Sequence, residues 1–199
     1  NEFEDFGKIG LHKERLGLFY TNYLSVIDTV YLVDDIIVAL EEDTINKKEA
    51  MTEGTKIIKQ MRNTVSDTTN QLNNFEKLEL SSEFKHIEKL YKEFRNHLIY
   101  KVEPLMNEEI NIIEKIFLNA LKGNFEDPLK RYMSQIKRIG ILIESENELL
   151  KLDIVSHEEN SPASSRSELY LNSNIFCLDL LNAFVYMFET LYILPEDTR

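Results

Sequence analysis

The sequence predicts an all-α fold, a single bundle of five to six mostly antiparallel helices. Three observations predict it. Apolar residues recur at helical spacing along most of the chain. Turn formers are scarce, with 6 Gly and 4 Pro in 199 residues, too few for a sandwich, barrel or propeller. Hydrophobic residues make up 43% and aromatics 10%, which supplies a core and excludes a disordered acidic chain. No internal repeat and no second compositional regime interrupts the pattern. The chain therefore reads as one domain over residues 1–199.

The elements follow in order. Leu16, Phe19, Tyr23, Val26, Val30, Val33, Ile37 and Leu40 alternate steps of three and four residues. Tyr20, Leu24, Ile27 and Tyr31 widen that seam. This predicts one helix over 13–43, roughly 45 Å long, buried against more than one neighbour. Met51, Gly54, Ile58, Met61, Val65, Thr68, Leu72 and Phe75 predict a second helix over 47–75, with Asn46 and Glu49 as a capping pair. The short link between them makes the two antiparallel. Ser81 and Ser82 are N-cap candidates for a third helix carrying Phe84, Ile87, Tyr91, Phe94 and Leu98. Pro104 sets its latest end, because a proline disfavours helical dihedrals in the residue before it. Met106, Ile110, Ile113, Phe117 and Leu121 mark a fourth helix, with Glu108 and Glu109 in its first turn, where the dipole favours them, and Gly123 as its stop. Asp127-Pro128 is an N-cap followed by proline at the first helical position. It opens a fifth helix ending near 154. Residues 156–168 are rich in serine and contain Pro162, which predicts an exposed loop. A last helix over 171–194 stops at Pro195.

Ile175–Leu194 resembles a membrane span, since 16 of its 20 residues are apolar. It also carries Asp179, Asn182 and Glu189, and each carboxylate at mid-membrane costs roughly 2.5–3.5 kcal/mol. The stretch is expected to be buried inside the bundle or between two subunits, with Cys177 as an inert core residue. A homodimer through Ile175–Leu194 is expected, and no membrane. The chain begins at Asn1 without Met, which leaves a processed or truncated start open. No segment has the order of a secretory signal, and the expected compartment is the cytoplasm.

Charge and cysteine content narrow the chemistry. A net charge of −12 argues against broad binding to nucleic-acid phosphates or anionic lipid. DNA is not expected as a partner. RNA is kept as a weak one, and a protein partner stays open. One Cys makes no internal disulfide and no thiolate metal site. There is no Gly-x-Ser-x-Gly and no glycine-rich phosphate loop. No cofactor is expected. The carboxylates Asp34, Asp35, Glu41, Glu42 and Asp43 lack the spacing of magnesium–diphosphate sites and read as surface charge.

Two constellations remain. His86, Glu93 and His97 fall within roughly 40° of one another on a helix, with Glu83 close by. Glu83-x-x-His86 has the spacing used by di-iron carboxylate bundles, which need two such motifs and two further glutamates. The chain has no second Glu-x-x-His. The plain reading is a solvated polar face. The alternative is a metal-dependent helical-bundle enzyme. The other constellation is Phe94-Arg95-Asn96-His97-Leu98-Ile99-Tyr100. Arg95 sits about 50° from the centre of the apolar face, at the core edge. An arginine there snorkels or is tied to a neighbouring helix.

Phe94-Arg95-Asn96-x-Leu98-Ile99-Tyr100 is similar to the signature of the HEPN superfamily. Its members are small helical bundles, many of them RNases of toxin–antitoxin and phage-defence systems. Their pattern is Arg, commonly then Asn, several variable residues, then His. Arg95, Asn96, Leu98 and Ile99 match. Tyr100 stands where many members carry the catalytic His, and His97 is too close to Arg95 for the usual spacing. The resemblance implies a metal-independent RNase chemistry in a composite dimer site. There the 2′-hydroxyl attacks the adjacent phosphate, His is acid and base, and Arg stabilises the developing charge. Loss of the His removes the group that titrates near neutrality, and tyrosine is a poor base at neutral pH. The sequence therefore leads to a non-enzymatic interaction or regulatory domain, a degenerate HEPN-like module. The runner-up is an active HEPN-like ribonuclease using Arg95 and Asn96 with His97 or Tyr100.

Overall fold

The computed structural model describes residues 1–126, 128–157 and 161–192. Their regular structure is helical, and no strand occurs among the described residues. The contacts gather into two compact units, Asn1–Glu126 and Asp127–Arg199. The sequence carries no compositional shift at that boundary.

The first unit holds α1 (Glu2–Glu41), α2 (Lys47–Asn73), α3 (Lys85–His97) and α4 (Glu103–Leu121). Helices α1, α2 and α4 pack against one another in pairs. Their apolar seams meet in a core where Tyr23, Tyr91, Phe94 and Phe117 are at most 2% exposed. Burial pushes the Tyr23 phenol up, opposed by its hydrogen bond to Thr69 (2.8 Å). Helix α1 begins well before residue 13, where the sequence places its start. Gly7 and Gly10 weaken the helical signal there, and the buried seam position Asp5 is a carboxylate. Asn1 caps this end by accepting from the Phe3 N–H (3.3 Å). Helix α2 opens as predicted, with Asn46 Oδ1 accepting from the Glu49 N–H (2.9 Å). Gly54 seats the Phe117 ring, since a Cβ there would lie 2.3 Å from it.

Pro104 does not end a helix. Helix α3 runs through a π turn, Leu98–Val102, into α4 with helical dihedrals throughout. Proline lacks an N–H and crowds the carbonyl four residues back. The wider π turn accommodates both defects. Glu108 and Glu109 consequently sit inside a continuous helix, away from any dipole end, and Glu109 is buried. A 3₁₀ turn, Ser82–Phe84, precedes α3, and the Ser81 side chain makes no cap hydrogen bond to it. Helix α4 stops as predicted, with Gly123 at φ 81°.

The second unit is a hairpin of α5 (Pro128–Val155) and α6 (Pro162–Tyr192). Asp127, the expected N-cap of α5, and 193–195, the expected end of the last helix, lie outside the described residues. Helix α6 starts at Pro162, so most of the expected loop 156–168 is helix. Ser161 Oγ accepts from the Ser164 N–H (3.2 Å), an N-cap followed by proline. Ser164 and Ser167 are buried, and Ser167 donates to Asp153 of α5. Ser161, Ser164 and Ser167, which suggest a loop by composition, belong instead to the cap and packed side of a helix.

The covered positions of α6 include Ser164, Ser167, Leu171, Asn174, Leu178, Leu181, Val185 and Phe188, a 3.5-residue seam of coiled-coil type. Leu181 and Leu178 approach Gly140 of α5, where a Cβ would stand 3.3 Å from Leu181. Outward stand Leu169, Tyr170, Phe176, Leu180, Phe184 and Met187. Cys177, expected in the core, is exposed. The helix is apolar on more than one side, and α5 covers one of them.

Candidate functional site

A group of polar residues of the first unit converges on the segment 74–81, which links α2 to α3. A cavity of about 290 Å³ beneath it is lined by His12, Phe75, Glu88, Tyr91, Arg95 and Asn96, among others. Arg95 projects from α3 to the end of α2. Its guanidinium donates to the Phe75 carbonyl (2.7 Å) and the Leu72 carbonyl (2.8 Å). Helix α2 has no basic residue in its own last turn. Its terminal carbonyls carry the negative end of the helix dipole, and Arg95 supplies the missing cation from the neighbouring helix. The planar fork reaches two carbonyls at once, which a lysine cannot reproduce.

The other side chains of the cavity wall hold the same segment. His12 on α1 sets its ring nitrogens 3.0 Å from the Glu76 carbonyl and 3.2 Å from the Lys8 carbonyl. Either tautomer thus donates to one of them. The Phe75 ring packs between His12 and Phe19, with centroids 4.7 and 5.5 Å away. Glu88 accepts from the Leu80 N–H (3.0 Å) and the Lys85 ammonium (2.8 Å). The Lys85 bond and the Leu80 N–H hold its carboxyl below the usual carboxylate range. Ser81 donates to Asp5 (2.5 Å), a charge-assisted bond that lowers the Asp5 pKa. Tyr91 donates to the Ile9 carbonyl (3.3 Å). The contacts of Arg95, His12, Glu88 and Asp5 tie the crossing segment to α1 and α3, and that of Tyr91 ties α3 to α1.

The sequence-predicted residues are distributed differently from a reaction centre. Arg95 is half-buried in the clamp. Asn96 is exposed, His97 half-buried, and Tyr100 73% exposed within the π turn. Glu83 lies in the 3₁₀ turn before α3, and His86 and Glu93 are exposed on α3. Among the described residues no group of three or more His, Cys, Asp or Glu side chains could hold a metal ion. The Glu83, His86, Glu93 and His97 set is not brought together.

Asp5, His12 and Glu88 are clamp residues that sequence reasoning misses. Asp5 has a weak signal: it occupies a seam position of α1, four residues before Ile9. His12 and Glu88 have none, because their partners are backbone groups of an irregular segment. No family model, curated protein or solved structure matches this chain.

Proposed function

We propose that this chain is a non-enzymatic helical interaction module whose docking surface is the outer side of α6. The reading takes the HEPN-like signature as degenerate, with Arg95 and Asn96 retained and Tyr100 in the place of the histidine. It takes the partner to be a second copy of the chain, and the setting to be cytoplasmic. The observation that carries it is the outer side of α6, where large apolar side chains stand exposed along a helix that α5 covers on one side. Contiguous exposed apolar surface of this kind marks an interaction site. Arg95 supports the non-enzymatic part. Both arms of its guanidinium bind main-chain carbonyls, which gives it a structural task.

Incubating a mixed tRNA pool with the purified chain, with EDTA and with Mg²⁺ or Mn²⁺, tests this reading. No cleavage is expected under any condition. Cleavage that resists EDTA and is lost in Arg95→Ala, at a temperature where that variant is still folded, would overturn it in favour of a ribonuclease. Cleavage that needs metal and disappears in His86→Ala would overturn it in favour of the metal-dependent enzyme.

A further inference from the structure

Helix α6 carries two seams. The inner one faces α5. The second consists of Tyr170, Ser173, Cys177, Leu180, Phe184 and Met187, all exposed. It repeats the same steps of three and four residues and contains no charged side chain. A surface facing lipid has no need of a 3.5-residue period, whereas a packed helix does. The third side of α6 holds Glu168, Asn172, Asp179 and Asn182, with the exposed Ile175 and Tyr186 among them. A bilayer would have to take in the Asp179 carboxylate near mid-helix. A helical bundle leaves that side in water.

We propose that two copies of this chain pair through this second seam, antiparallel, so that two α5–α6 hairpins form one four-helix bundle. This rests on the interaction reading above and specifies its geometry. Antiparallel self-pairing about the level of Leu178 and Asp179 sets Tyr170 opposite Met187, Ser173 opposite Phe184, and Cys177 opposite Leu180. Each small side chain then meets a large one, the condition for close packing. A two-fold axis makes the contact self-complementary. The area agrees. Tyr170, Leu180, Phe184 and Met187 of the seam, with Leu169 and Phe176 flanking it, are 40–64% exposed. They present on the order of 700 Å² per copy, close to the ~800 Å² per partner of a standard stable interface. With a net charge of −12 each, two copies need an uncharged contact, and the seam provides one.

The single Cys tests the pairing directly. The wild-type chain is mixed with the Cys177→Ser/Leu180→Cys variant and mildly oxidised. The expected product is a reducible pair with one chain of each kind, because those two positions share a layer. A Cys177-to-Cys177 pair from wild type alone would mean parallel packing and would overturn the antiparallel geometry. Sedimentation velocity at micromolar concentration gives the second readout. The wild type is expected to be a dimer, and Phe184→Glu, an exposed change checked by circular dichroism, a monomer. A dimer that survives Phe184→Glu would overturn this seam while leaving the interaction reading standing. A wild-type monomer that floats with phosphatidylcholine vesicles would overturn the second copy as partner in favour of lipid. A wild-type monomer that neither floats nor binds would overturn both readings.

Discussion

The two units distribute polarity in opposite ways. In the first, aromatic and aliphatic side chains fill the interior, and the polar groups at its edge bind main-chain atoms of one crossing segment. In the second, the buried residues include Arg138, Ser145, Asn147, Ser164 and Ser167, while phenylalanine, tyrosine, leucine and methionine stand outside. Asn147 Oδ1 and Asn174 Nδ2 are buried there without a hydrogen-bond partner among the described residues. Interpolating the register between Gly140–Leu181 and Asp153–Ser167 brings these two amides to the same level of the hairpin. Polar layers of this kind fix register at a cost in stability. The first unit thus holds its apolar surface within itself. The hairpin lines its seam with polar groups and exposes much of its apolar surface. An all-round apolar helix is therefore weak evidence for a protein's own core.

The largest effect should separate the two units. Phe94→Ala empties a fully buried site and is expected to destabilise the first unit by about 3–5 kcal/mol. Phe176→Ala removes a ring of the same size that is 64% exposed. It should change folding stability by about 0.5 kcal/mol or less. Urea unfolding of both variants checks the contrast. Equal losses would mean that α6 is buried in the folded chain and would break the comparison.

Arg95 comes next. Arg95→Ala removes two charge-assisted bonds and leaves the Leu72 carbonyl at the end of α2 and the Phe75 carbonyl just beyond it without their cation. A loss of about 2 kcal/mol is expected. Tyr100→Ala, in the same signature but 73% exposed, should be neutral within about 0.5 kcal/mol. Thermal melts of the pair would show whether the signature acts through the fold. A neutral Arg95→Ala would contradict the clamp.

Much of this architecture was legible. The seam of α1 from Leu16 onward, the Asn46 cap, the Gly123 stop and the α5 start near Pro128 follow from periodicity and capping chemistry. The tie of Arg95 to a neighbouring helix was legible as well, from its place at the edge of the apolar face. Three features were not. Pro104 inside a continuous helix depends on a π turn, which no spacing rule announces. Ser164 and Ser167 are seam residues with loop composition. The His12 and Glu88 contacts of the clamp were hidden because their partners are main-chain groups of Glu76 and Leu80, whose identity in the sequence carries no trace of the bond.

A smaller effect contrasts two glycines on the long helices. At Gly54 an added methyl meets the buried Phe117 ring. Overpacking of about 1–3 kcal/mol should outweigh the gain of about 1 kcal/mol in helix propensity. At the exposed Gly10 nothing lies within 4 Å, and the same change should stabilise by about 0.5–1 kcal/mol. The two substitutions are chemically identical, so opposite shifts in melting temperature would isolate packing from backbone entropy.

The smallest effect is the pH response of the clamp. Hydrogen bonds from Ser81 to Asp5 and from Lys85 to Glu88 favour the ionised carboxylates and depress both pKa values in the folded chain. The unfolded chain then binds more protons than the folded one wherever the two titration ranges differ. Stability from these groups is complete above the ordinary carboxylate range and is lost as pH falls through the depressed values. The melting temperature of the first unit should be level between about pH 7 and about pH 5 and fall below about pH 4. Asp5→Asn should flatten part of that fall, because the amide holds its proton count constant. The hydrogen-bond partners of Asp5 and Glu88 are Ser81, Leu80 and Lys85, all within the first unit. Substitutions on the outer side of α6 should therefore leave the acid limb where it is. An acid limb that moved with Phe184→Glu instead would place the titrating contacts outside the clamp.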